Sequence, residues 1–194
     1  MRRGLVIAAL AASLLPTVSR AESSGPDVAQ VFVRMCGETR GDPAGAMALA
    51  DAQGWKPPMI PLGALAAAVP GLSKFKMKYR IKADGGRTLI LMAGTLADKG
   101  AERRTCAVAV AGGGVTFATL RTELSAWTQV PPLATHEAAN RVVFGFMETP
   151  RGHEALAAGD DPLSGNPPKT PAAAVVILTT VQSVSMVVYV SGAA

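Results

Sequence analysis

Lys74-Phe75-Lys76-Met77-Lys78-Tyr79-Arg80-Ile81-Lys82 is the stretch on which the fold turns. Cations and large apolar side chains alternate through it without a break, the period of an extended strand and not of a helix. On a strand, Lys74, Lys76, Lys78, Arg80 and Lys82 stand on one face at intervals of about 6.7 Å, with Phe75, Met77, Tyr79 and Ile81 on the other. Neighbours in such a row repel by roughly half a kcal/mol each, so a facing strand with carboxylates is expected. The sequence offers none. Asp84-Gly85-Gly86 makes a tight turn, and residues 88–95 return as a second strand. A two-residue turn sets the basic face beside Arg87, Leu89 and Leu91; a three-residue turn sets it beside Thr88, Ile90 and Met92. The row therefore reads either as an edge strand guarded by lysines or as a ridge that binds an anionic, partly apolar partner. In both readings Phe75, Met77, Tyr79 and Ile81 are expected to be the buried side.

Outward from this hairpin the period is again 2 over residues 104–111, a third strand that carries Cys106 and breaks at Gly112-Gly113-Gly114. Phe117, Leu120, Leu124 and Trp127 then recur at helical spacing. Residues 141–149 read as a strand, and residues 150–171, rich in Gly, Pro and Asp, as an exposed loop. Residues 172–190 contain no charge and are long enough for a membrane helix, but Thr179, Thr180, Gln182, Ser183 and Ser185 cluster at the centre and valine dominates elsewhere. Both features favour strands, as a hairpin or one long bent strand.

Towards the N-terminus, Val28, Val31, Phe32 and Met35 mark a helix that Cys36 closes. Asp42 caps a second helix, with Pro43 in its first turn and Gly54 ending it, and Trp55 is placed to fold back on its last turn. Residues 57–73 form a connector with one short helical piece. The expected architecture is α+β: an antiparallel sheet of five to six strands, two N-terminal helices and one inserted helix, in one domain over residues 22–194.

Residues 1–21 read as a cleavable secretory signal: Arg2-Arg3, an apolar run of about 12 residues, which is too short to span a bilayer, then Ser19-Arg20-Ala21. The chain has 19 cations and 14 acids; without Arg2, Arg3 and Arg20 the balance is 16 against 14, or +2. That is too small for a nucleic-acid footprint. In an exported chain the two cysteines, Cys36 and Cys106, are expected to pair, since neither has a cysteine or histidine at ligand spacing.

Chemistry is sparse. His136-Glu137 and His153-Glu154 put neighbouring side chains on different sides of any regular element, so neither pair is a ready chelate, and both histidines read as exposed loop residues. Asp160-Asp161 with Ser164 and Asn166 lacks the spacing of a calcium loop. The Gly112-Gly113-Gly114 run lacks the Lys-Ser/Thr of a phosphate loop. No nucleophile, base and orienting group come together, and no metal or cofactor set is expected.

Phe32-x-x-x-Cys36, Thr39-x-Gly41-Asp42, an alanine-rich helix and Gly54-Trp55 resemble the N-terminal signature of a set of small exported proteins and lipoproteins of Gram-negative bacteria. The resemblance implies an envelope location and carries no activity. The expected role is thus a non-enzymatic binding or accessory protein, periplasmic or secreted, whose partner is an anionic envelope component or an acidic protein, with no nucleic acid and no transmembrane segment in the mature chain. The alternative is a small hydrolase or metal-dependent enzyme built on His136, His153 and Asp160.

Overall fold

The structure, a computed structural model, describes residues 27–59, 75–98, 101–112, 114–157, 159–160, 163, 172–181 and 183–191. The signal segment 1–21, Lys74, Asp161, Ser164, Asn166 and nearly all of the 57–73 connector lie outside these residues.

The chain begins with α1 (Val28–Phe32), capped by Asp27, whose carboxylate accepts the Ala29 amide at 2.9 Å. It continues into a wider π-helical turn, Val33–Gly37. The expected single helix is therefore split. The wider turn brings three successive residues, Met35, Cys36 and Gly37, to the buried side, more than one narrow helical stripe accommodates. Helix α2 (Pro43–Ala52) starts as its sequence dictates, with the Asp42 carboxylate accepting the Gly45 amide at 2.7 Å.

Then come β1 (Phe75–Asp84), β2 (Arg87–Asp98) and β3 (Ala101–Ala111), helix α3 (Phe117–Thr128), and β4 (Arg141–Thr149), β5 (Gly152–Ala155), β6 (Ala173–Val181) and β7 (Val184–Ser191). They form one antiparallel sheet of seven strands in the order β1-β2-β3-β7-β6-β4-β5. The β1–β2 connection is the two-residue one, with Gly85 and Gly86 both at positive φ (53° and 81°), the backbone a tight hairpin needs. The charge-free run 172–190 is the β6–β7 hairpin at the middle of the sheet. Among the described residues no helix is long and apolar enough to cross a membrane. The strand count exceeds the expected five to six, because part of the 150–171 stretch is not loop: β5 turns back on β4, with Glu148 opposite His153.

The three helices pack on one face of the sheet. Leu89, Leu91, Val108, Val187, Val176 and Phe144 supply that face, and Phe32, Met35, Leu120 and Leu124 close over it in one core. A disulfide joins Cys36 to Cys106, Cα atoms 5.3 Å apart, and ties the π-helical turn to β3.

Candidate functional site

In β1 the register sets Lys82, Arg80, Lys78 and Lys76 opposite Leu89, Leu91, Ala93 and Thr95. Leu89, Leu91 and Ala93 belong to the core beneath the helices. The basic row therefore stands on the helix-covered face, at its rim, and not on the face turned away from the core. Correspondingly Met77, Tyr79 and Ile81 are half-buried, not sealed as expected. Alternation along a strand shows that two faces differ; only the docking of the helices decides which one they cover.

Within the row the cations have separate surroundings. Arg80 extends to α2 and grips Asp51 with Nε and a terminal nitrogen at 2.6 and 3.0 Å, while its other terminal nitrogen donates to the Tyr79 carbonyl at 2.9 Å. This pairing holds the Asp51 carboxyl below its ordinary range and pushes the Arg80 guanidinium up. The missing acid thus comes from a helix, not from a facing strand. Lys82 is half-buried; Lys76 and Lys78 are exposed. β1 is an outermost strand, and among the described residues its rim is covered at one point, where Lys56 and Ile81 exchange backbone hydrogen bonds of 2.9 and 2.7 Å.

At the far end of the helix-covered face lie two adjoining cavities. One, of about 520 Å³, lies between the first helical segment and α3, and its polar lining is Asp27, Gln30, Arg34, Glu38 and Glu123. The other, of about 350 Å³, runs on to the β4–β5 hairpin and is bounded by Arg40, Glu148 and His153. Trp127 and Glu38 line both. The indole is held edge-on by Phe32, Phe146 and His153, at centroid distances of 5.7, 6.0 and 4.8 Å.

Burial pushes the Glu123 carboxyl up to about 7, helped by a hydrogen bond and like charge from Asp27. Between the ordinary value of 4.5 and about 7 the folded protein then holds more protons at this site than the unfolded chain. The sign is that stability declines as pH rises through that window. Glu123 is half-buried at the rim of an open cavity and partly screened by solvent, so the decline is expected to stay under about 1 kcal/mol. Urea titrations at successive pH values check this: Glu123→Gln should flatten the profile relative to wild type, and an unchanged profile rejects the assignment.

In the smaller cavity, Glu148 accepts the Tyr189 hydroxyl on one oxygen at 2.5 Å and pairs with Arg40 through the other at 3.1 Å. Burial first, and Glu148 second, raise the Tyr189 hydroxyl far above its usual range, so it stays protonated and donates. Arg40 reaches this position from a left-handed backbone (φ 51°), and Gly41 follows at φ 68°. A Cβ on Gly41 would stand 2.7 Å from the Tyr189 ring.

The histidines are not brought together. His153 is a half-buried strand residue against Trp127 and Phe146, which corrects its reading as an exposed loop side chain. His136, also half-buried, closes a 3-10 turn (Ala134–His136) between α3 and β4, so the exposed-loop reading is corrected there as well, and Asp160 follows β5 as an exposed residue. Among the described residues no three His, Cys, Asp or Glu side chains stand close enough to hold a metal ion. Of Glu148, Tyr189, Arg40 and Trp127, which do share a cavity wall or a hydrogen bond, the first three carry no spacing signal in the sequence, and Trp127 carries one only as a member of the helical stripe of α3. The one available hint was Glu148 at the end of an apolar strand.

The chain matches no family model, no curated protein and no solved structure.

Proposed function

We propose that this chain is an exported, non-enzymatic binding or accessory protein of the bacterial envelope, and that it meets an anionic envelope component or an acidic protein through the lysines of β1. One observation carries the reading: Lys76 and Lys78 project into solvent from the outermost strand, while Asp51, the carboxylate that α2 brings to the row, is already engaged by Arg80. Two cations about 6.7 Å apart on one strand face, neither with an ion-pair partner among the described residues, offer an anionic surface two adjacent contacts. The resemblance of residues 32–55 to small exported proteins and the signal-like residues 1–21 support the location. Nothing in the placement of His136, His153 and Asp160 favours the enzyme alternative.

Retention of the mature protein on vesicles containing anionic phospholipid, or on heparin, tests the reading. Lys76→Gln with Lys78→Gln should elute at clearly lower salt and lose most of the salt dependence, because that dependence comes from screened charge. Stability should change by no more than about 0.5 kcal/mol, since both side chains are exposed. Arg80→Gln is the control: it breaks the exposed Asp51 pair at little cost in stability and should affect retention less. Equal retention of the double variant and wild type would leave the row as an edge guard only.

A further inference from the structure

The two cavities around Trp127 have a sign of charge opposite to that of the β1 rim. Asp27, Glu38 and Glu123 face Arg34 in the larger one, and Glu38 and Glu148 face Arg40 in the smaller. With all these groups ionised the described lining of each cavity is net negative, in a chain whose acids are outnumbered by its cations. Arg40 is moreover engaged by Glu148, so its charge is neutralised in place. The walls are not merely acidic. Ala29, Val33, Ala126 and the half-buried indole of Trp127 give the larger cavity an apolar side that a hydrated metal ion would not use. An indole beside carboxylates is the combination that attracts an organic ammonium, through the ring's negative face and through charge. A volume of about 520 Å³ is that of a small-molecule site.

We infer that the cavity between the first helical segment and α3 binds a small organic ammonium, its cationic head between Asp27 and Glu123 and its apolar body against Trp127. Asp27 belongs to the helix cap and Glu123 to α3, so the ligand would bridge two elements already in contact through the core. The proton that Glu123 holds at low pH occupies the place of the ammonium charge. Binding therefore releases that proton to solvent, Glu123 ionising as the cation enters. Among the described residues Asp27, Arg34 and Glu38 are the other charged groups facing the cavity, and Arg34 opposes the cation.

Phenethylammonium is the probe, with phenylacetate as its anionic counterpart of similar size. The readout is the two indole N–H signals in a proton–nitrogen NMR spectrum of the full mature chain, Trp55 and Trp127 being the only tryptophans. Trp55 is buried elsewhere in the core and serves as the internal reference. Phenethylammonium should shift the Trp127 signal saturably at about millimolar concentration or below, and phenylacetate should not. Affinity should tighten by about tenfold between pH 6 and pH 8 as Glu123 gives up its proton. Glu123→Gln should weaken binding about fivefold or more at pH 8 and abolish the pH dependence. Glu38→Gln, remote from the helix cap, should weaken it in the same direction. Phenylacetate binding as tightly as phenethylammonium, or an indole signal that moves without saturating for both, would overturn the inference. So would unaltered affinity in both folded variants.

Discussion

Replacing Cys36 and Cys106 together by alanine lowers the free energy of unfolding by roughly 4 kcal/mol and the melting temperature by about 10 °C. The bridge closes a loop of 70 residues, and in the chain-entropy account most of its effect lies in the unfolded chain, which without it explores far more conformations. Both cysteines are fully buried, so the alanine pair also removes some packing. Denaturant unfolding of the double variant beside oxidised wild type measures the sum. A difference below about 1 kcal/mol would mean that residual structure in the unfolded chain already does what the bridge does.

The second large effect is expected at Phe32. Its ring is completely buried, one helical turn from Cys36, and meets Trp127 edge-on at 5.7 Å. Phe32→Ala should cost about 3 to 5 kcal/mol, the loss of an aromatic side chain plus the cavity left behind. It should also loosen Trp127, which is seen as a red shift of its emission as water reaches the indole. Because Phe32 and Cys36 share one buried patch, the alanine changes at 32, 36 and 106 should not add. A cost under about 1 kcal/mol at Phe32 would show that the patch collapses without strain.

Local punctuation is legible in the sequence itself. Asp42 and Pro43 start α2, the two-glycine turn fixes the β1–β2 register, and the β-branched, charge-free run is a hairpin. The signature of residues 32–55 also resolves into structural duties. Thr39 donates its hydroxyl to the Met35 carbonyl at 2.7 Å, Gly41 admits the Tyr189 ring, and Trp55 returns its amide to Ala50 at 3.0 Å. These residues build a helical corner and leave the chemistry to others.

What was not legible depended on distant partners. The orientation of the basic row follows from where α2 docks, and Asp51, 29 residues away, has no marker that assigns it to Arg80. Tyr189 and Glu148 are 41 residues apart and meet only because β6 and β7 place their strands two ladders from each other. The short β5 was hidden in a stretch whose glycines and prolines signal turns, since a four-residue strand barely establishes a period.

The strand order has a consequence for how the molecule can come into being. Chains are made from the N-terminus, yet the middle of this sheet is its last described hairpin, β6–β7, set between β3 and β4. Until residues 184–191 are in place, β1-β2-β3 and β4-β5 share no strand ladder and are bridged through the helices, where Phe32 meets Trp127 and Trp127 meets Phe146, and Tyr189 is missing from the side of Cys106. The disulfide needs only the chain up to residue 106. Once formed, it can therefore hold the helical corner on the first three strands while the keystone hairpin has still to dock, so that the final step becomes the insertion of one hairpin into a waiting gap.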